Sequence, residues 1–238
     1  MQHIGQRCQI TTSRRHFAPS ALISPLHDGP VTVVPSAGVW LRTLAPGREQ
    51  TAAGKTVIVI GGPDLPGVAE ELSTVAAQHP GALVLTPPQS NCAAVTEAVR
   101  NADVAHFACH GRLRADNPAF SSLFLADGPL TVHELSGGRG APRVVVLAAC
   151  ESGAQVRFAG EEALGFVSAL LGAGSAGIVA SSVLVSDEGS GSLMRDLHKA
   201  LAGGASVADA LWAARQGLDT DDPHQLASWC AFDAFGGG

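Results

Sequence analysis

The sequence predicts an α/β fold, a mostly parallel sheet with helices on both faces. Short β-branched runs alternate with longer segments whose apolar residues recur every three or four positions. Several short runs are apolar almost throughout, such as Val144-Val145-Val146-Leu147-Ala148-Ala149, as strands covered on both sides require. Composition agrees: 46% of the 238 residues are hydrophobic and only 15% charged, which excludes a disordered chain or a highly charged coiled coil.

In chain order, strands are expected at 31–34, 56–60, 82–86, 104–108, 143–149 and 177–181, and helices at 68–78, 93–101 and 161–171. Beyond the last strand the chain reads as helical over 191–201, over 206–217 with Ser206 as the cap, and over 223–229. Residues 120–132 break the alternation. There Ser122-Leu123-Phe124-Leu125-Ala126, then Asp127-Gly128, then Pro129-Leu130-Thr131-Val132 spell an inserted β-hairpin. The first fifteen residues fit neither template. No internal repeat or low-complexity linker divides the chain, so a single large domain is expected.

Fifteen basic against 21 acidic residues leave a net charge of −6, which offers no general field for nucleic acid or anionic lipid. Cys8, Cys92, Cys109, Cys150 and Cys230 are odd in number and contain no C-x-x-C, which argues against a disulfide framework and against a thiolate zinc site. They read as reduced thiols. The first twenty residues lack the apolar core of a signal peptide, and no run approaches the roughly 18 apolar residues of a membrane span. The expected location is the cytoplasm, with no membrane partner.

Three motifs yield to simpler readings. Gly54-Lys55-Thr56 has Glu49 where a phosphate loop needs glycine, and a strand follows where a helix N-terminus is required. Ala173-Gly174-Ser175-Ala176-Gly177 resembles a nucleophile elbow, but a helix precedes and a strand follows, the reverse of that motif's order. His106 and His110, four apart around Cys109, belong to a strand with alternating faces and have no second ligand cluster, so His106 and Cys109 read as core residues and no metal is expected.

Two strand ends stand apart. His106-Phe107-Ala108-Cys109-His110-Gly111 closes one expected strand, and Ala148-Ala149-Cys150-Glu151-Ser152-Gly153 closes another. In an open parallel sheet the carboxyl ends of neighbouring strands converge on one crevice. His110 would then face Cys150: an imidazole favours the thiolate, which attacks a carbonyl carbon, and then protonates the leaving amine. The amides of Gly111 and Cys150 are natural donors to the developing oxyanion. At this level an inert core thiol is the favoured reading of Cys150, since most free cysteines are inert core residues.

At these residues the sequence resembles the CHAT domain, a caspase-like group of clan CD cysteine peptidases related to separase. The likeness also runs through Val33-Val34-Pro35-Ser36-Ala37, Val59-Ile60-Gly61-Gly62-Pro63, the 122–128 hairpin, Gly172-Ala173-Gly174, Val185-Ser186-Asp187 and the closing Ala227-Ser228-Trp229-Cys230-Ala231-Phe232. It implies a caspase-like three-layer αβα sandwich over 19–238, preceded by a divergent segment 1–18. It implies His110 as general base and acid and Cys150 as nucleophile, 40 residues apart in the caspase order of histidine first. It also puts Asp187 where separase-like relatives hold a basic P1 side chain, although an aspartate there equally suits a helix cap. No cofactor is implied. The partners implied are a protein substrate and a separate regulatory or repeat-containing protein, since this chain carries no repeats.

The chain departs from the pattern at Val183, where relatives have tryptophan, at Leu197-His198, where they have Phe-Tyr, and over the first fifteen residues, which suggests a missing edge strand. Three functions follow: a caspase-like cysteine endopeptidase, a catalytically inactive CHAT-type interaction or signalling domain, and a small-molecule hydrolase or acyltransferase using the same dyad.

Overall fold

A computed structural model describes residues 8–11, 29–43, 55–112, 114, 117–136, 141–148, 160–181 and 187–237. Its main sheet has eight strands: β1 (Cys8–Thr11), β2 (Val31–Val34), β3 (Val57–Gly61), β4 (Leu83–Leu85), β5 (Val104–Ala108), β9 (Val144–Leu147), β10 (Gly177–Ser181) and β11 (Phe232–Gly236). Their order across the sheet is β1-β2-β11-β10-β9-β5-β3-β4. All neighbours are parallel except β10 and β11. A smaller antiparallel sheet is formed by β6 (Gly111–Arg112), β7 (Ser122–Leu125) and β8 (Gly128–Thr131).

The helices are α1 (Ala37–Thr43), α2 (Val68–Ala76), α3 (Cys92–Val99), α4 (Val132–Ser136), α5 (Gly160–Gly172), α6 (Asp187–Ala202), α7 (Val207–Gln216) and α8 (Pro223–Ala231). The strand alternation sorts the core into two layers. Ile58, Ile60, Phe107, Val145, Leu147 and Ile178 pack with Val95 and Val99 of α3, Phe166 and Leu170 of α5, and the hairpin residues Leu123, Leu125 and Leu130. Val57, Val59, Val104, Val144, Val146 and Val179 pack on the opposite side with α2, α6, α7 and Ala231 of α8. This is the expected sandwich, and the wholly buried strands explain the apolar runs.

Local chemistry sets the helix starts. The Asn91 side chain accepts from Ala94 N, Ser206 from Asp209 N, and Asp222 from His224 N, with Pro223 in the first turn of α8. Thr131 and Glu134 form a reciprocal capping box at α4: Glu134 N donates to Thr131 Oγ1, and Thr131 N to Glu134 Oε2 at 2.9 Å. Asn91→Ala removes one such cap and is expected to lower stability by about 1 kcal/mol in urea unfolding, with the hairpin contacts unchanged.

Two expectations need correction. The sheet does not lack its edge strand: Cys8–Thr11 pairs in parallel with Val31–Val34. The segment after α8 is also a strand, β11, inserted between β10 and β2. Its Asp233 interrupts an apolar pattern yet is fully buried, beside the buried Arg215 of α7. Arg215 Nη2 donates to Phe232 O, its guanidinium lies 5.0 Å over the Trp229 ring, and the Asp233 charge offsets part of the burial penalty on that guanidinium. The readings of Gly54-Lys55-Thr56 and Ser175 hold. A strand follows the first, and Ser175 joins α5 to β10 with its hydroxyl donating to Pro142 O at 2.8 Å.

Candidate active site

His110 lies two residues past the end of β5, partly exposed, where the main sheet hands the chain to the smaller one. Its carbonyl accepts from Phe124 N at 2.8 Å, and Gly111 begins β6 opposite Leu123. A second backbone bond, Gly62 N to Ala108 O at 2.8 Å, ties the end of β3 to the end of β5. Glycine at 62 is required by contact: a Cβ there would lie 2.5 Å from Cys109 Cβ and 2.9 Å from Phe124 O. His110 is thus held by its main chain on both sides.

This edge is a topological switch point. From β3 the chain leaves through α2 to one face, and from β5 through the hairpin and α4 to the other, which opens a crevice beyond the carboxyl ends of the two strands. The neighbouring β9 pairs with β5 in register from Val104↔Val144 to Phe107↔Leu147, and Ala148 N extends the ladder to Phe107 O at 3.0 Å. On the far side of β9 lies β10, after which Asp187 is the first residue of α6. Cys150 lies outside the described residues, and of Asp187 only the backbone is described. His106 and Cys109 are core residues as expected, 0% and 2% exposed.

Two of the described thiols, Cys109 and Cys92, are poorly suited to nucleophilic work. Burial, reinforced by the Glu71 charge, pushes Cys109 up to about 12; burial and the Asp127 carboxylate push Cys92 up to about 11. Asp127 accepts from Cys92 N at 2.7 Å, which pins the hairpin turn to α3. Cys230 is exposed on α8. Among the described residues no three His, Cys, Asp or Glu side chains are grouped to hold a metal ion, and no helix is long and apolar enough to cross a membrane. A cavity of about 410 Å³ opens between α2 and α6, lined in part by Glu70, Glu71, Ser190 and Arg195. The sequence reading did not find it, because its walls come from two helices about 120 residues apart.

A mostly parallel sheet between two helical layers, with a histidine-glycine pair at its carboxyl edge, defines a three-layer α/β sandwich with a strand-end site. The chain belongs to the CHAT domain family, whose profile matches residues 10–237. No curated protein sequence matches it. Among solved structures it is similar to a chain of the Saccharomyces cerevisiae separase–securin complex, with 14% identity, 87% of this chain and 14% of that one covered, and a TM-score of 0.58. It is similar to the Arg-specific cysteine proteinase gingipain R (12% identity, coverage 87% and 54%, TM-score 0.59). It is also similar to the complex of Porphyromonas gingivalis RgpB pro- and mature domains (11% identity, coverage 95% and 61%, TM-score 0.62). The chain spans less than two thirds of each of these, and at such identities the likeness is one of fold.

Proposed function

We propose that this chain is a caspase-like cysteine endopeptidase with His110 and Cys150 as its dyad. The observation that carries the proposal is the β5–β9 register. Pairing offset by 40 residues ends at Phe107↔Leu147, and His110 and Cys150 each follow that pair by three positions in sequence, past the ends of the adjacent parallel strands β5 and β9, next to the switch point between β3 and β5. In the proposed reaction His110 takes the Cys150 proton and the thiolate adds to the peptide carbonyl. The amides of Gly111 and Cys150 stabilise the oxyanion, and His110 protonates the amine as the C–N bond breaks. Water, deprotonated by His110, then hydrolyses the thioester. These steps need no metal or organic cofactor.

Asp187 is proposed as the anionic base of a pocket for a P1 arginine or lysine, since it begins the helix after β10, the strand on the other side of β9. The partners proposed are a protein substrate and, by analogy with the securin and pro-domain complexes of the structural relatives, a separate protein that regulates the site. The inactive-domain alternative draws on the altered opening segment and on the changed pocket residues Val183 and Leu197-His198; β1 answers the missing-strand part of it, and the pocket departures stand.

The test is cleavage of Arg- and Gln-terminated reporter peptides. The chain is expected to prefer Arg, and Asp187→Asn to lower the Arg/Gln ratio of kcat/KM by roughly 10- to 100-fold. An unchanged ratio with a small loss of stability would make Asp187 a helix cap only. Cleavage of neither reporter, nor of any member of a peptide library, would contradict the peptidase reading.

A further inference from the structure

The second core layer contains a row of ionisable groups that the proposed reaction does not use. His106 sits in the middle of β5 between Val104 and Ala108, and therefore faces the α2 and α6 side. His79, just past the end of α2, and His198 of α6 meet it there. His79 Nε2 is 2.9 Å from His198 Nδ1, His198 Nε2 is 3.1 Å from His106 Nδ1, and His106 Nε2 is 3.2 Å from Glu71 Oε1. His106 and His198 are 0% exposed and His79 6%, while the Glu71 side chain, 9% exposed, reaches the wall of the 410 Å³ cavity.

Glu71 Oε1 stands at ion-pair distance from His106 Nε2 without hydrogen-bond geometry, and taking Glu71 as a carboxylate orders the donors of the row. An ionised carboxylate only accepts, so the facing His106 Nε2 carries a hydrogen and His106 Nδ1 accepts. His198 must then donate from Nε2 and accept at Nδ1, and His79 must donate from Nε2. All three rings point their donors toward Glu71. One added proton is absorbed on any ring by reversing the tautomers of the rings between it and the His79 end. Two charged rings are not absorbed: whichever pair is chosen, two N–H donors face each other at one of the ring–ring contacts.

We propose that Glu71, His106, His198 and His79 form an acid-operated latch, closed with at most one added proton and opened by a second, that clamps α2 and α6 onto the middle of β5. The latch is independent of the peptidase reading, because what it governs is helix packing. Among the described residues, these charged groups surround it. Lys55, ahead of β3, acts on His79 and donates to Leu201 O at 2.8 Å. Glu70 and Arg195 line the cavity beside Glu71, with Arg195 paired to Asp196 at 3.0 Å. Cys109 feels the Glu71 charge. From β3 only Val57 and Val59 face this layer; α7 brings Arg215, engaged with Phe232, and His224 and Cys230 of α8 are exposed.

The sign of the pH dependence follows. Burial, then Lys55 and His106, holds His79 below its ordinary value of 6.5; burial, then His106 and His79, holds His198 well below it. Both rings bind protons more weakly folded than unfolded, so the stability they contribute is whole above about pH 6.5 and is lost as the pH falls below that.

Hydrogen exchange of the whole chain tests the latch. Between about pH 7.5 and pH 5.5, after correction for intrinsic exchange, protection of α2 and α6 is expected to fall on the order of tenfold more than that of α3 and α5, and His198→Phe to remove this difference. Should that variant fail to fold, ¹⁵N-histidine spectra of the unaltered chain decide. The latch requires Nε2–H tautomers for His79, His106 and His198 at neutral pH and coupled titration of the three. Equal loss of protection on both faces, or independent titration of the three rings, overturns the proposal.

Discussion

Cys150→Ala is expected to abolish peptide cleavage, lowering kcat/KM by roughly 10³-fold or more, while the unfolding midpoint stays within about 1 °C of the parent chain. The size of the loss follows from the chemistry, since without the sulfur there is no thioester and only the oxyanion donors and substrate binding remain. Stability is expected to be spared because the substitution removes a single sulfur atom, three residues beyond the buried Val144–Leu147 strand in sequence. His110→Ala is expected to cost about as much, and the double substitution little more than either alone, because the two groups act as a unit. Cleavage by Cys150→Ala at the parent rate would end the dyad assignment.

Gly62→Ala is the substitution outside the dyad with the largest expected effect, a destabilisation of about 3 kcal/mol in urea unfolding. The added Cβ would stand 2.5 Å from Cys109 Cβ, 2.9 Å from Phe124 O and 3.0 Å from Cys109 Cα, and two of these neighbours are backbone atoms that cannot rotate away. Relief requires β3 to part from β5, which breaks the Gly62 N to Ala108 O bond, or requires Phe124 to move, which disturbs its bond to His110 O. The account therefore predicts a loss of activity larger than the loss of folded protein. Gly172→Ala is the control: nothing lies within 4 Å of a Cβ there, and the change is expected to be neutral or stabilising.

The strands of the sheet centre were legible because a parallel strand buried on both faces must be apolar throughout, and Val57–Gly61, Val104–Ala108 and Gly177–Ser181 fall within a residue of the expected ranges. Phe232–Gly236 was not legible. Its Asp233 would be intolerable in a buried strand without Arg215, and nothing local in the sequence announces a partner 18 residues upstream. Cys8–Thr11 was missed because an edge strand of four residues carries too little pattern to separate from a loop. His110 could be anticipated because a strand-end histidine followed by glycine is a local feature. The imidazole row could not, because His198 lies 119 residues from His79 and 92 from His106, and only the packing of α6 on α2 and β5 unites them.

The central claim, that one of the five thiols is a nucleophile activated by His110, is tested most directly by the alkylation rates of all five cysteines in the folded chain near neutral pH, resolved by mass spectrometry. Cys109 and Cys92, pushed up to about 12 and about 11, are protonated at that pH and should react slowly. Cys230 is exposed and supplies the reference rate for an accessible thiol. The account predicts that Cys150 reacts on the order of a hundred times faster than Cys230, and that His110→Ala removes the difference. Alkylation of Cys150 no faster than that of Cys230, or a fast rate that survives His110→Ala, would contradict it.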